Sequence, residues 1–333
     1  MIGAPGGPIV TSRRAFLKAS VGALGLARWA PALLAKAAQP RTPVDFDVPA
    51  GACDCHVHIF GDPERFPFSP GRAYTPEPAS IAQLRSLHRA LHLERTVVVH
   101  PSVYGTDNSC SLEALRQLGP SARGVAVIDE QTPEEALDEM SRLGVRGIRL
   151  NLVQAGISDP ALARRRFQAA AQRVKTRGWH VQIYSPLSIV AAISDLVLAS
   201  PVPVVFDHFG GAEARAGLGQ PGFGALVNLV RAGRAYVKIS GTADLVSSRA
   251  PDYPDVAPLA RALVAANPQR ILWATNWPHP DSRKNPRRLA TDLAPLLQTD
   301  DGRILNLLPD WVPDAAIRKA ILVDNPAQLY GFA

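Results

Sequence analysis

The stretch Ala52-Cys53-Asp54-Cys55-His56-Val57-His58-Ile59 combines small and β-branched residues with two histidines at alternate positions. A short run of this kind is typical of a β-strand in a βα unit. Seven later runs share this character. We therefore predict eight strands, at residues 52–59, 96–101, 124–128, 147–152, 181–184, 202–207, 235–239 and 271–274.

Longer amphipathic segments lie between these runs and carry apolar residues three and four positions apart, which is the helical pattern. Predicted helices include residues 81–91, 133–143, 161–177 and 253–266. Strands that alternate with helices are typical of parallel α/β folds, and eight such units close into a (β/α)8 TIM-like barrel. A doubly wound open sheet is the alternative, but no glycine-rich phosphate loop follows the first predicted strand.

The composition fits one globular domain rather than a nucleic-acid-binding protein. The chain has 333 residues, of which 47% are hydrophobic and 20% charged. Its net charge is +7, but residues 1–37 carry five basic residues and no acidic one, so the remainder carries 7 − 5 = +2. A nearly neutral body predicts no nucleic-acid partner and, once the leader is removed, no membrane partner. The composition does not specify the oligomeric state.

Residues 1–37 have the pattern of a twin-arginine-type signal peptide. Arg13 and Arg14 precede an apolar stretch that ends at Ala35-Lys36-Ala37. That stretch is short for a membrane span and is interrupted by a charge and a proline. We predict export to the periplasm with cleavage after Ala37, a proline-rich linker at residues 38–50, and the barrel at residues 51–333.

Polar side chains concentrate at the carboxyl ends of the predicted strands, where barrels place their active sites. They are His56, His58, His100, Ser102, Asp129, Arg149, Asn151, Tyr184, Asp207, His208, Ser240, Asn276 and His279. His56 and His58 alternate on one strand, so both imidazoles project from the same face. Such a pair can bind a metal ion or polarise a carbonyl, or it can be a hydrogen-bonded pair of core histidines.

Arg149 ends the fourth predicted strand. Its guanidinium offers a planar fork of donors that suits a substrate carboxylate. The alternative is a structural ion pair with Asp129 or with a helix end.

Three separated motifs carry a resemblance to a known family. Residues 54–61 read Asp-Cys-His-Val-His-Ile-Phe-Gly, residues 206–210 read Phe-Asp-His-Phe-Gly, and residues 273–279 read Trp-Ala-Thr-Asn-Trp-Pro-His. In this order they resemble the amidohydrolase-related family of the amidohydrolase superfamily. Residues 66–74, 105–108, 146–149 and 323–326 add a likeness to those members that open pyrone dicarboxylate lactones. The resemblance covers residues 51–329 and implies an amidohydrolase-type barrel that opens the ring of a small carboxylated lactone.

The resemblance also implies roles for individual residues. It implies that His56, His58 and His208 surround the lactone carbonyl and stabilise the charge that develops on its oxygen. Carboxylate binding by Arg149 and Tyr184 is implied in the same way, with Tyr74 as a pocket-lining residue. Ser102 and His279 lie at strand ends and are further candidates for substrate binding.

Three positions depart from the family pattern. Ala155 and Asp244 stand where carboxylate-binding arginines are expected, which disfavours pyrone dicarboxylate itself as the substrate. Asn276 replaces the strand-eight aspartate that takes a proton from the attacking water. An amide cannot act as a general base near neutral pH, so hydrolysis by this chain requires another base.

Asn276 keeps two other functions open. A lactone isomerase of the same superfamily has asparagine at this place and uses a hydroxyl of the substrate as the nucleophile. Intramolecular attack of that kind gains from high effective concentration. This chain nevertheless keeps both histidines of the first strand, where that isomerase has lost one. The third hypothesis is an exported ligand-binding protein with impaired catalysis.

Metal-dependent members of the superfamily bind zinc or manganese through the histidine pair, further histidines and the strand-eight carboxylate. Asn276 is a poor ligand for a transition metal, and the guanidinium of Arg149 opposes a cation. We therefore predict a site without metal or other cofactor. The alternative is zinc or another divalent ion held by His56, His58 and His208.

Overall fold

The computed structural model describes Gly3 and residues 37–282 and 287–333. Apart from Gly3 and Ala37, the predicted signal peptide lies outside the described residues. None of the described helices is both long and apolar enough to cross a membrane.

Eight parallel strands form one sheet in which each strand pairs with the next along the chain. They are β1 Cys53–Val57, β2 Arg95–Val99, β3 Ala122–Ala126, β4 Val145–Asn151, β5 His180–Tyr184, β6 Val204–Phe206, β7 Ala235–Ile239 and β8 Ile271–Trp273. Two backbone hydrogen bonds join the last unit to the first: Asn276 N donates to His56 O at 3.0 Å, and His58 N donates to Trp277 O at 2.8 Å. The predicted (β/α)8 barrel is confirmed.

Helices connect the strands and cover the barrel. Those in the described part of the chain are α1 Ile81–Leu91, α2 Ser109–Leu118, α3 Glu134–Arg142, α4 Pro160–Val174, α5 Leu187–Ala192, α6 Ser194–Leu198, α7 Phe223–Arg231, α8 Ala257–Ala266, α9 Asp301–Leu305, α10 Leu308–Trp311, α11 Ala315–Lys319 and α12 Asn325–Tyr330. A short pair of parallel segments, Thr75–Pro76 and Leu293–Ala294, lies outside the barrel sheet.

The sequence located the elements well but misplaced some of their ends. The predicted helix at residues 253–266 begins only at Ala257. Tyr253 lies at φ 44° and precedes a proline, which disfavours the helical conformation at that residue. The predicted helix at residues 161–177 ends at Val174 and continues as one 3-10 turn.

The barrel wall requires glycine at one contact between neighbouring strands. A Cβ at Gly147 on β4 would lie 2.3 Å from the imidazole of His180 on β5. His180 is buried at the start of its strand, away from the carboxyl-end rim. His180 therefore has a role in packing the barrel wall and not in the site at the carboxyl ends of the strands.

The segment predicted as a linker is hydrogen-bonded to the barrel. Trp277 Nε1 donates to the Ala38 carbonyl at 3.1 Å, and Thr42 Oγ1 donates to Asp300 Oδ2 at 2.8 Å. Asn306 Nδ2 donates to the Pro43 carbonyl at 2.9 Å. Residues 38–43 are therefore held along the outside of the barrel instead of spanning free solvent.

Candidate active site

One cavity at the carboxyl ends of the strands gathers seven of the nine residues predicted for the site. The predicted residues that line it are His58, Tyr74, Ser102, Arg149, Tyr184, His208 and Asn276. His56 and His279 are buried and are not among the lining residues.

His56 on β1 and His58 just after it belong to a directional chain of hydrogen bonds. His58 Nδ1 lies 2.7 Å from the Val99 carbonyl, which can only accept, so this nitrogen carries the hydrogen. The Nε2 atoms of His58 and His56 lie 3.3 Å apart. Because His58 Nε2 is then an acceptor, His56 Nε2 is the donor and His56 Nδ1 is left to accept.

The donor to His56 Nδ1 is the ammonium of Lys238, at 3.4 Å. Lys238 lies on β7, is fully buried, and also donates to Gln182 Oε1 at 2.6 Å. The Lys238 ammonium also lies 3.5 Å from Asp207 Oδ1. His56 Nδ1 and Asp207 Oδ1 are 3.2 Å apart and both accept hydrogen bonds, so the ammonium bridges them. If His56 carried its hydrogen on Nδ1 instead, the unprotonated Nε2 atoms of His56 and His58 would face each other at 3.3 Å and repel. The arrangement in which Lys238 donates to His56 Nδ1 is therefore favoured.

Burial keeps these imidazoles neutral. It lowers the pKa of His56 well below its usual value, and the positive charge of Lys238 acts in the same direction. Burial, with the charge of Arg149, lowers the pKa of His58 to about 3. Near pH 7 each imidazole is therefore neutral and has one donor nitrogen and one acceptor nitrogen, as the chain of hydrogen bonds requires.

Arg149 is anchored by a buried carboxylate at the end of β6. Its Nε donates to Asp207 Oδ2 at 3.0 Å, and Gln182 Nε2 donates to the same oxygen at 3.0 Å. Burial favours protonation of Asp207, but the neighbouring imidazole of His56 and the positive charges of Lys238 and Arg149 hold its pKa well below the usual range.

The alternative prediction, an ion pair between Arg149 and Asp129, was wrong. Asp129 is exposed, and its Oδ1 accepts a hydrogen bond from Thr132 Oγ1 at 2.9 Å. Among the described residues, the hydrogen bond of Arg149 uses Nε alone. The terminal nitrogens of its fork are thus placed at the cavity for another acceptor.

His208 follows β6 and is fixed from three sides. Its Nδ1 lies 2.9 Å from Ser240 Oγ, and the ring of Tyr184 packs edge-on against it with centroids 5.0 Å apart. A Cβ at Gly241, which has φ +66°, would lie 3.0 Å from His208 Nδ1. Glycine at position 241 therefore permits the close approach. Burial lowers the pKa of His208 to about 4, so this imidazole is also neutral near pH 7.

Asn276 is tied to a carboxylate whose role the sequence did not indicate. Its Nδ2 donates to Asp244 Oδ2 at 2.8 Å, and Asp244 is buried in the turn that follows β7. Asn276 lies at φ 70° and His279 at φ 56°, in the left-handed region that most residues avoid. Such strained conformations concentrate at functional sites.

His279 is held between two carboxylates. Its Nε2 lies 3.1 Å from both oxygens of Asp301, and its Nδ1 lies 3.7 Å from Asp244 Oδ2. Burial alone lowers the pKa of His279, but Asp301 and Asp244 outweigh it and raise the value to about 10. The structure therefore places His279 as a buried imidazolium behind Asn276, where both of its nitrogens already face carboxylates.

Three buried residues lie close enough together to hold a metal ion. Ligand atoms of His56, Asp207 and His208 all fall within 4.8 Å of one another. The carboxylate of Asp207, however, already faces the cations Arg149 and Lys238. A divalent ion held by His56, Asp207 and His208 would compete with these two cations for the carboxylate, and when bound it would supply Lewis-acid activation of the carbonyl. The predicted set of His56, His58 and His208 shares two of these three residues.

The comparisons with known proteins place this geometry in a class. The amidohydrolase family profile matches residues 53–332, and the chain belongs to that family. It is 34% identical to the 4-sulfomuconolactone hydrolase of Hydrogenophaga intermedia over 295 residues, which cover 87% of this chain and 91% of that protein. It is 33% identical to the 2-pyrone-4,6-dicarboxylate hydrolase of Comamonas testosteroni, over 88% of this chain and 94% of that protein.

Two further proteins are informative. The D-galactarolactone isomerase of Agrobacterium fabrum is 28% identical over 85% of this chain and 91% of its own length. A crystal structure described as a putative 2-pyrone-4,6-dicarboxylic acid hydrolase from Pseudomonas putida superposes with a TM-score of 0.68 at 32% identity. That match covers 86% of this chain and 99% of the other.

Proposed function

We propose that this chain hydrolyses a small lactone that bears a carboxylate or a similar anionic group. The observation that carries the proposal is the shared cavity, which the Arg149 guanidinium and the neutral imidazoles of His58 and His208 all line. A cationic fork beside the neutral imidazole of His208, which can donate a hydrogen bond, suits a substrate with one anionic group and one ester carbonyl. The relatives that act on lactones support this class of substrate.

In this proposal Arg149 binds the anionic group and sets the position of the ring. Tyr74 and Ser102 line the same cavity, and burial raises the pKa of Tyr74 to about 12, so its hydroxyl stays a hydrogen-bond donor. When Ser240 Oγ donates to His208 Nδ1, the hydrogen of His208 is on Nε2. That hydrogen stabilises negative charge on the carbonyl oxygen.

The substrate of this proposal carries one anionic group near Arg149. Ala155 lines the neighbouring part of the cleft together with Arg149 and Gln154. Alanine offers no donor where a second carboxylate would need one, and Asp244 would repel it. Lactones with a single carboxylate therefore rank above pyrone dicarboxylate.

Isomerisation is the second candidate, and Asn276 is the observation that favours it. An amide at the cavity wall does not activate water, whereas a hydroxyl of the substrate attacks its own carbonyl without a strong base. The likeness to the galactarolactone isomerase supports this candidate. The complete pair His56 and His58 and the higher identity to the hydrolases favour hydrolysis.

We also propose that catalysis proceeds without a metal. Two cations, Lys238 and Arg149, already neutralise Asp207, and Lys238 satisfies His56 Nδ1 by a hydrogen bond. An additional divalent ion at the imidazoles would meet both positive charges at short range.

Export to the periplasm is proposed from the leader sequence, with Arg13 and Arg14 as its recognition element. Replacing both arginines by lysine is expected to leave the protein in the cytoplasm on cell fractionation. Undiminished recovery from the periplasm would contradict this assignment.

A panel of lactones followed by NMR tests the proposed function. The panel contains 4-sulfomuconolactone, a galactarolactone, 2-pyrone-4,6-dicarboxylate and an uncharged lactone of similar size. Formation of the open acid supports hydrolysis, whereas a ring-shifted lactone supports isomerisation. Binding of the charged lactones without any turnover would support the binding-protein hypothesis and overturn the proposal.

A further inference from the structure

We propose that Asp244 is the general base that takes a proton from the attacking water, in place of the strand-eight residue Asn276. This inference rests on the proposed hydrolysis. Its starting point is one contact: Asp244 Oδ2 lies 2.8 Å from Asn276 Nδ2, and Asn276 lines the cavity. A carboxylate is thus present one hydrogen bond away from the position where the family pattern expects it.

The two residues meet because they follow neighbouring strands. Asp244 lies in the turn Thr242–Val246 after β7, and Asn276 lies directly after β8. The next residue of that turn, Leu245, lines the cavity. Both side chains are therefore at the carboxyl-end rim, where barrels place groups that act on substrate.

The residue types at these two positions are matched. An amide nitrogen donates and a carboxylate oxygen accepts, so Asn276 and Asp244 form a bond that two carboxylates could form only by sharing a proton. The family pattern predicts an arginine where Asp244 stands and an aspartate where Asn276 stands. The chain therefore lacks the carboxylate after β8 but has one, Asp244, on the neighbouring loop after β7.

Buried charges around Asp244 keep it ionised, as a base must be. Burial opposes ionisation, but the imidazolium of His279, whose Nδ1 lies 3.7 Å from Asp244 Oδ2, holds the pKa of Asp244 below its usual value. His279 is in turn paired with Asp301 through Nε2 at 3.1 Å. When Asp244 accepts a proton, the imidazolium of His279 keeps its partner Asp301, so the transfer leaves no uncompensated buried cation.

The chemical step balances as follows. The water oxygen bonds to the lactone carbonyl carbon while one water proton moves to Asp244, and the carbonyl electron pair moves onto its oxygen. The tetrahedral oxyanion collapses and breaks the bond between that carbon and the ring oxygen. The departing ring oxygen takes the proton from Asp244, which regenerates the carboxylate and releases the open hydroxy acid.

Exchanging the two residues gives a direct test. Four proteins are compared with the panel lactone that the wild type opens fastest: wild type, Asp244→Asn, Asn276→Asp and the double exchange. Asp244→Asn is expected to lower kcat by about 10²- to 10⁴-fold. The double exchange keeps the hydrogen bond with its polarity reversed and is expected to regain at least about ten-fold over Asp244→Asn.

Controls separate this inference from the proposed function. Asp129→Asn makes the same chemical change at an exposed strand end and is expected to keep the wild-type rate. Thermal unfolding and calorimetric lactone binding report whether each variant is folded and binds. If the wild type opens no lactone, the proposed function fails.

The remaining outcomes concern Asp244 itself. If the wild type is active and folded Asp244→Asn keeps kcat within about three-fold, the inference is wrong and hydrolysis stands. Should Asp244→Asn fail to fold, the double exchange decides. Activity in that folded variant supports a carboxylate base at this pair, and binding without turnover overturns it.

Discussion

The ammonium of Lys238 lies 3.4 Å from His56 Nδ1, in the closed interior of the barrel. It fixes the hydrogen of His56 on Nε2, and it places a permanent positive charge beneath the histidine pair. Burial lowers the pKa of Lys238, while the charge of Asp207 opposes that effect. Lys238 therefore positions His56 without touching the substrate.

Replacing Lys238 by methionine, which has a similar volume, is expected to lower kcat by about 10- to 100-fold with little change in KM, because a charge-assisted hydrogen bond is lost. Nitrogen-15 NMR of the His56 ring is expected to show the tautomer change. Lys319→Met, at an exposed ion pair with Asp324, is the matched control. An unchanged rate and an unchanged His56 tautomer in a folded Lys238→Met protein would show that Lys238 has no positioning role.

Arg149→Lys keeps the positive charge but loses the planar fork. KM for a carboxylated lactone is expected to rise about 10- to 100-fold, which corresponds to the 1.5–3 kcal/mol typical of a hydrogen bond to a charged group. The KM for an uncharged lactone of the same size is expected to change little. An equal rise in KM for both lactones would mean that Arg149 stabilises the structure through its hydrogen bond to Asp207 and does not bind the anionic group.

Stability is expected to depend on pH in two opposite ways. The pKa values of His58 and His180 are lowered by burial to about 3, so the unfolded chain binds more protons at acidic pH. Stability from these groups is complete above about pH 6.5 and is lost as pH falls towards 3. His279, with its pKa raised to about 10, gives stability below pH 6.5 that is lost as pH rises through 10.

Unfolding free energies measured from pH 3 to 10 are therefore expected to peak near pH 6.5. His180→Phe is expected to flatten the acid side while leaving kcat unchanged, because His180 lies away from the cavity. A profile that keeps rising from pH 7 to 10 would contradict the assignment of a buried imidazolium at His279.

The regular parts of this account could be predicted from the sequence, since β-branched runs show where the strands lie. Lys238 could not be assigned in the same way. It stands between Val237 and Ile239, and alternation alone suggests that it points to solvent. In a barrel both faces of a strand are buried, so a lysine inside such a run is itself a signal of an interior polar cluster.

The contact between Asp244 and Asn276 could not be predicted from the sequence for a different reason. Its partner Asn276 is 32 residues away, and only the adjacency of the loops after β7 and β8 brings the two together. The motif at residues 273–279 drew attention to the missing base, but the sequence does not indicate which distant carboxylate lies next to it.

Metal independence predicts that activity survives exhaustive chelation. Purified protein dialysed against a strong chelator is expected to keep its kcat and to contain less than stoichiometric zinc by elemental analysis. Added zinc is expected to leave the rate unchanged or to lower it, because Lys238 and Arg149 oppose a further cation. Loss of activity that only zinc restores would contradict metal independence and support the alternative of a divalent ion held by His56, His58 and His208.

The fate of water oxygen tests the central claim most directly. The wild-type protein is incubated with the panel lactones in water enriched in oxygen-18, and the products are analysed by mass spectrometry. Hydrolysis predicts one heavy oxygen atom in the carboxyl group of the open acid, formed at a rate that depends on Asp244. Conversion of a lactone to a ring-shifted isomer with no heavy oxygen would contradict hydrolysis and would assign the cavity to isomerisation.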